Sequence, residues 1–115
     1  MLAFLGGTGP EGRGLALRFA IAGESTIIGS RDAVRAATAS EELGKLAPGT
    51  SIEGLTNGDA ARLADVVFLT FPYEGQRPVL EQLGGVLEGK VVVNVIAPMT
   101  FQRGRGASAT EVAAG

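Results

Sequence analysis

The chain has 115 residues, a net charge of −2 and a pI near 5.1. This size fits one domain, and this charge argues against a general nucleic-acid surface. The absence of cysteine and histidine excludes disulfides, thiol chemistry, zinc sites of the Cys/His type and a histidine acid–base relay. No apolar run approaches the roughly 18 residues of a membrane span, so we expect a cytoplasmic protein that does not bind membranes.

The chain opens with a predicted strand, a glycine-rich turn and a predicted helix. The apolar residues 2–5 precede the turn, and the apolar-rich run 15–22 follows it. A strand before and a helix after is the setting in which the pattern G-x-G-x-x-G indicates a dinucleotide-binding turn. The residues that fit this pattern are Gly7, Thr8, Gly9, Pro10, Glu11 and Gly12.

Each glycine of the turn has an expected role. Gly7 permits the tight turn out of the strand, Gly9 lets a pyrophosphate approach the backbone, and Gly12 lets the helix pack closely. The pyrophosphate is expected at the helix N-terminus, where the backbone dipoles favour anions. Pro10 suits the first helical turn because its missing N–H has no intrahelical partner there.

Two charged residues complicate the turn. Arg13 stands where a Walker-type loop requires lysine, which excludes that loop. Glu11 brings a negative charge close to the expected phosphates. The sequence leaves open whether Glu11 points outward or is offset by Arg13.

A second signal follows the next predicted strand, at residues 25–29. In NAD-binding domains an acidic residue about 20 positions beyond the glycine motif binds the ribose hydroxyls. Hydroxyl and guanidinium groups stand at this point instead, and they suit the 2′-phosphate of NADP. Asp32 is the alternative NAD-type acid, but we assign it to capping the following helix. The predicted 2′-phosphate ligands are Thr8, Ser30, Arg31 and Arg35.

The rest of the chain alternates between strands and helices. Predicted helices cover residues 32–46, 60–64 and 78–87, and predicted strands cover residues 51–56, 65–71 and 90–97. The last two strands are near-continuous apolar runs, which indicates buried strands of a parallel sheet. The pattern predicts an α/β fold, a Rossmann-like doubly wound parallel sheet of five strands in the order 3-2-1-4-5.

In such a sheet the ligand lies outside the carboxyl ends of the strands. The loops after the fourth and fifth strands should therefore face the cofactor, which adds Thr70, Phe71, Pro72, Ile96 and Ala97 to the predicted site.

Residues 1–100 form the expected nucleotide-binding domain, and residues 101–115 form a loop and the start of a helix. Ser108 and Glu111 fit a capping box, which marks that helix start. Because few residues follow, we expect a fragment, a truncated gene or a reduced relative of a longer protein.

Three segments carry a family resemblance: residues 5–18, the Gly-Ser-Arg at 29–31, and residues 67–74. They resemble the amino-terminal domain of the NADPH-dependent 8-hydroxy-5-deazaflavin oxidoreductases. The resemblance implies hydride transfer between the nicotinamide of NADP and the deazaflavin coenzyme, with no catalytic side chain required. By the family pattern, Thr8, Ser30 and Arg31 hold the 2′-phosphate.

Family members continue into a carboxy-terminal portion that helps to form the deazaflavin pocket and a dimer. Activity of this chain alone and a homodimer therefore stay open. Two alternative functions are a non-catalytic NADPH-binding module and a reductase of imine or keto substrates on the same scaffold. All of these hypotheses take small molecules as partners.

Overall fold

In a computed structural model of the chain, the described residues are 1–71, 73–95, 99–102 and 106–109. Strands and helices alternate along most of this length. The first five strands are β1 (Leu2–Leu5), β2 (Thr26–Ser30), β3 (Ile52–Thr56), β4 (Val66–Leu69) and β5 (Val91–Asn94). The helices are α1 (Pro10–Ile21), α2 (Ala33–Leu46), α3 (Asn57–Leu63) and α4 (Tyr73–Leu83), and a 3-10 helix at Gly84–Leu87 follows α4.

These five strands form one parallel sheet in the order β3-β2-β1-β4-β5, which confirms the predicted topology. The central strand β1 pairs with β2 on one side, from Leu2 opposite Thr26 onward, and with β4 on the other. All five strands therefore end at the same edge of the sheet.

Apolar side chains cover both faces of the sheet. On the face that α1 and α2 cover, Phe4 packs with Ile28 and Leu43. The ring of Phe4 stacks on that of Phe68 with centroids 4.7 Å apart. On the opposite face, which α3 and α4 cover, the buried cluster comprises Ala3, Leu5, Ile27, Ala60, Ala61, Ala64, Val67, Leu69, Phe71 and Leu83. The sheet is thus the middle layer of three.

The structure corrects three expectations on element boundaries. Helix α3 begins at Asn57, which was expected to lie in a turn, because the Thr56 hydroxyl caps the helix by accepting from the Asp59 N–H at 3.3 Å. Helix α4 begins at Tyr73 and continues through Pro78, where the sequence placed its start. It ends at Leu83 rather than residue 87, because Gly84 adopts a φ of 53° that breaks the α-helix.

Strand β5 is more exposed than its apolar sequence predicts. Val91 is 61% exposed and Val92 is 41% exposed, although the run was expected to be buried. The reason is the position of β5 at the edge of the sheet, where β4 is its one neighbour among the described strands.

The two remaining strands are β6 (Met99–Gln102) and β7 (Gly106–Ala109), which pair antiparallel. Ser108, the expected start of a helix, lies within β7, whereas Glu111 lies outside the described residues. No helix in the described part of the chain combines the length and apolar character that a membrane crossing requires.

Candidate functional site

A pocket of about 640 Å³ opens at the carboxyl edge of the sheet. One of its lining residues stands at the end of each of four strands: Gly6 after β1, Ser30 in β2, Asn57 after β3 and Phe71 after β4. The other lining residues come from the glycine turn, the start of α2 and one side of α4: Thr8, Gly9, Arg31, Arg35, Gly75, Pro78, Val79 and Gln82.

The tight turn out of β1 depends on Gly6, one residue before the glycine expected to make it. Gly6 has a φ of 71°, in the left-handed region that favours glycine. Gly7 has no positive φ, but a Cβ there would lie 2.6 Å from the Phe4 carbonyl oxygen. Its amide donates to the Gly29 carbonyl at 3.0 Å, so Gly7 joins the turn to the end of β2.

Gly9 and Gly12 face different surroundings. A Cβ on Gly9 would meet only the Gly6 carbonyl oxygen, 3.9 Å away, which leaves this side of the turn open. A Cβ on Gly12 would lie 2.5 Å from the Gly7 Cα and 2.8 Å from the Thr70 Oγ1. Glycine at position 12 therefore allows the close approach of α1 to the turn.

Gly9 is the N-cap residue of α1, and Pro10 is the first helical residue. No side chain caps this helix end. The N–H groups of a first helical turn have no acceptor within the helix. They are therefore available to an anion that approaches over Gly9, although Pro10 itself supplies no N–H.

Arg13 anchors the turn rather than neutralising Glu11. Its Nε donates to the Thr8 carbonyl at 3.0 Å, and its Nη1 pairs with the Glu42 Oε2 at 2.7 Å. Glu11 is exposed in the first turn of α1 and does not line the pocket. Arg13 thus holds the glycine turn against α2.

Ser30 and Asp32 form a fixed unit at the end of β2. Ser30 is 6% exposed, and its Oγ accepts from the Asp32 amide at 3.2 Å. The hydroxyl hydrogen of Ser30 remains available to donate elsewhere. The Asp32 Oδ1 accepts from the Val34 amide at 2.9 Å as the N-cap of α2, which confirms the capping role predicted for Asp32.

Both predicted arginines reach the pocket from the start of α2. Arg31 and Arg35 are exposed and line the same pocket as Thr8 and Ser30. Two permanent positive charges and two hydroxyls therefore lie around one space, and the described lining residues include no carboxylate. This chemistry suits an anion with several oxygens.

The predicted residues after β4 and β5 differ in their placement. The Thr70 Oγ1 donates to the Leu5 carbonyl at 2.7 Å in the protein interior, so Thr70 joins β4 to β1 rather than facing the pocket. Phe71 does line the pocket. Pro72, Ile96 and Ala97 lie outside the described residues.

Sequence reasoning missed Asn57 and the α4 side of the pocket. Asn57 directly follows β3, so the rule that ligands lie at the carboxyl ends of strands applies to it as well. On α4, Pro78, Val79 and Gln82 fit no motif, and only the folded arrangement brings them to the pocket.

An ion pair joins two strands at the opposite edge of the sheet. The amino terminus of Met1 donates to the Asp65 Oδ2 at 2.8 Å. This hydrogen bond, together with the charge of the amino group, lowers the pKa of Asp65. It joins the beginning of β1 to the beginning of β4, away from the pocket.

Comparison with solved structures agrees with the fold. The lactate dehydrogenase of Eimeria maxima, solved with NADH and oxamate, superposes with a TM-score of 0.58 at 16% identity. The match covers 85% of this chain and 36% of that chain. At this identity the likeness concerns the Rossmann-like architecture alone.

Relatives at higher identity align with most of the chain. The F420-dependent NADP reductase of Methanothermobacter thermautotrophicus is 46% identical over 100 residues, which is 85% of this chain and 43% of that protein. Those of Methanothermobacter marburgensis and Methanocaldococcus jannaschii are both 42% identical, over 85% of this chain and 45% of each protein. The match thus covers less than half the length of each of these relatives.

The model of one protein family, NADP oxidoreductase coenzyme F420-dependent, matches residues 1–98. The matched segment contains the glycine turn, the end of β2 and the pocket. The chain therefore belongs to the coenzyme F420-dependent NADP oxidoreductase family, which confirms the resemblance to deazaflavin oxidoreductases.

Proposed function

We propose that the chain is the NADP-binding part of an oxidoreductase that transfers hydride between NADPH and the deazaflavin coenzyme F420. The observation that carries the proposal is the single pocket into which the glycine turn and the Ser30-Arg31 segment both open. The name of the relatives, F420-dependent NADP reductase, indicates the two cofactors between which the hydride passes.

The turn after β1 suits the pyrophosphate. The open side of Gly9 admits an anion to the backbone, and the uncapped end of α1 supplies N–H donors and a favourable dipole. Arg13 keeps the turn in this shape through the Thr8 carbonyl. Arg13 therefore supports the pyrophosphate site indirectly, through the backbone carbonyl of Thr8, while its charge pairs with Glu42.

The start of α2 suits the 2′-phosphate. Arg31 and Arg35 bring positive charge, and the hydroxyls of Thr8 and Ser30 bring donors of short reach. An NAD-type site would place a carboxylate here to accept from the ribose hydroxyls. Asp32 instead caps α2 and does not line the pocket, so the arrangement favours NADP over NAD.

When bound, NADPH and the deazaflavin supply the hydride chemistry themselves. The residues of this chain bind and orient the dinucleotide, and the apolar surfaces of Phe71 and Val79 at the pocket exclude water. Rings held at the correct separation and orientation account for much of such a rate. No side chain is assigned as a general acid or base.

A paired titration of the chain with NADPH and NADH tests the nucleotide half of the proposal, with nicotinamide fluorescence as the readout. We expect clear preference for NADPH. Preference for NADH would contradict the 2′-phosphate site, and binding of neither nucleotide would contradict the proposal as a whole.

Deazaflavin reduction by NADPH, followed by loss of the visible absorbance of the deazaflavin, tests the hydride acceptor. Tight NADPH binding without bleaching would favour the non-catalytic binding module for this chain. Turnover of an imine or keto substrate without deazaflavin would favour the third hypothesis, which the names of the relatives do not support.

A homodimer and a cytoplasmic location belong to the same proposal and follow from the sequence-based expectations. Light scattering coupled to size-exclusion chromatography, with and without NADPH, measures the oligomeric state. A monomer under both conditions would contradict the dimer without affecting the nucleotide site.

A further inference from the structure

Asn57 is a buried polar residue in the wall of the pocket. It belongs neither to the glycine motif nor to the segment that carries the two arginines. It is 9% exposed, directly follows β3 and lines the pocket. Its Oδ1 accepts a hydrogen bond from the Gly6 amide at 3.1 Å. The side chain thus reaches from the end of β3 to the turn after β1.

The orientation of the Asn57 carboxamide follows from its partner. A backbone N–H can only donate, so the carboxamide oxygen must face Gly6 and the NH₂ group must face away. The oxygen also fills the space beside Gly29, where a Cβ would lie 2.8 Å from it. The ends of three strands therefore fix this side chain, and a flip of the amide would leave the Gly6 N–H without an acceptor.

The Nδ2 of Asn57 is available to donate a hydrogen bond into the pocket. Among the residues that the structure describes, no hydrogen bond engages Nδ2, and no buried side-chain nitrogen or oxygen lacks a partner. Nδ2 is therefore accessible at the protein surface, and the open space beside Asn57 is the pocket that it lines.

We propose that Asn57 has two functions: its Oδ1 positions the turn at Gly6, and its Nδ2 donates a hydrogen bond to a phosphate oxygen of the bound nucleotide. This inference rests on the proposed function and adds a ligand to its site. Asn57 shares the pocket with Thr8, Ser30 and Arg31, whose side chains also supply donors. A wall of donors without a carboxylate selects an anionic acceptor.

The substitution Asn57→Asp separates the two functions. An aspartate keeps an oxygen for the Gly6 N–H but replaces the donor by an anionic oxygen that repels phosphate. We expect the melting temperature to stay close to that of the unsubstituted chain while NADPH binds about tenfold to a hundredfold more weakly. The matched control is Ser51→Asp, which adds the same charge just before β3 instead of just after it and should leave NADPH binding unchanged.

Comparison of NADPH with NADH identifies which phosphate accepts the hydrogen bond. Equal weakening of both nucleotides would place the acceptor in the pyrophosphate, and a larger effect on NADPH would place it in the 2′-phosphate. If folded Asn57→Asp binds NADPH within about twofold of the unsubstituted chain, the inference is overturned while the proposed function stands. If the unsubstituted chain binds no NADPH, the proposed function fails first.

A measurement on the unsubstituted chain needs no variant to fold. The sequence contains two asparagines, Asn57 and Asn94, so selective ¹⁵N-asparagine labelling gives two side-chain amide groups in an NMR spectrum. Saturation with NADPH should shift the Asn57 NH₂ signals and slow their exchange with solvent. Unchanged Asn57 signals at saturation would overturn the proposed hydrogen bond.

Discussion

Gly6 and Phe71 approach so closely that a Cβ on Gly6 would lie 2.6 Å from the Cβ of Phe71. Gly6 also has a φ of 71°. We expect Gly6→Ala to lower the free energy of unfolding by about 2–4 kcal/mol, because the added methyl group meets both a disfavoured conformation and a packed ring. Urea denaturation measures the change.

The matched control for Gly6→Ala is Gly14→Ala. Gly14 lies within α1, where a Cβ would meet nothing within 4 Å. Alanine should therefore stabilise the helix by about 0.5–1 kcal/mol. Equal effects of the two substitutions would contradict the role assigned to the contact between Gly6 and Phe71.

Arg31→Ala tests the 2′-phosphate site. We expect NADPH binding to weaken by about 1.5–3 kcal/mol, the scale of a hydrogen bond to a charged group, and NADH binding to change little. Fluorescence titration at low ionic strength measures both. Arg18→Ala is the control, because Arg18 is exposed near the end of α1 and does not line the pocket. If Arg31→Ala weakens the binding of NADPH and NADH equally, the assignment of Arg31 to the 2′-phosphate is refuted.

Arg13→Met tests the anchor of the glycine turn. This variant keeps the apolar bulk of the side chain but loses the hydrogen bond to the Thr8 carbonyl. The binding of NADPH and the binding of NADH should weaken together, because both nucleotides place their pyrophosphate on this turn. Isothermal titration calorimetry with both nucleotides measures the effect.

Glu42→Gln is the companion to Arg13→Met. It removes the ion pair but keeps the hydrogen bond from the arginine to the turn. Because the Glu42 side chain is 53% exposed, we expect a stability change below about 1 kcal/mol and little change in nucleotide binding. If Glu42→Gln weakens nucleotide binding as strongly as Arg13→Met does, the ion pair, rather than the contact with Thr8, holds the turn.

Asp65→Asn tests the ion pair with the amino terminus. A carboxyl whose pKa is lowered in the folded state stabilises the fold at pH values above its unfolded pKa. This stabilisation is lost as the pH falls through the lower, folded pKa. The free energy of unfolding of the unsubstituted chain should therefore fall more than that of Asp65→Asn as the pH drops below about 4. Urea denaturation at several pH values measures the difference, and parallel pH profiles would contradict the pairing.

Topology was predictable because its signals are periodic and local. The apolar run that contains Val67 and the glycine turn after β1 each place a strand without knowledge of its neighbours. Exposure at the sheet edge is not a local signal: it follows from the strand order, which puts β5 at the edge. Val91 is as apolar as Val67, and only the strand order leaves Val91 exposed.

The site was partly predictable for the same reason. Its nucleotide motifs lie on consecutive residues, and the structure brings Thr8, Gly9, Ser30, Arg31 and Arg35 to one pocket. Asn57 was missed although it directly follows β3, whereas Gln82 could not be placed, because its position depends on how α4 packs. Pro78 marked a helix start in sequence terms, whereas the helix extends across it and packs Val79 against the core.

The engagement of Asp32 by the Val34 amide bears on redesign of cofactor preference. Asp32 caps α2 through its Oδ1 and does not line the pocket, so loss of Arg31 alone would bring no carboxylate to the ribose and would create a weak binder rather than an NAD enzyme. An evolutionary or engineered route to NAD would have to introduce a new acid at position 30 or 31 while Asp32 stays. The place of Asp32 at the helix cap, outside the pocket lining, thus restricts the mutational paths between the two cofactors.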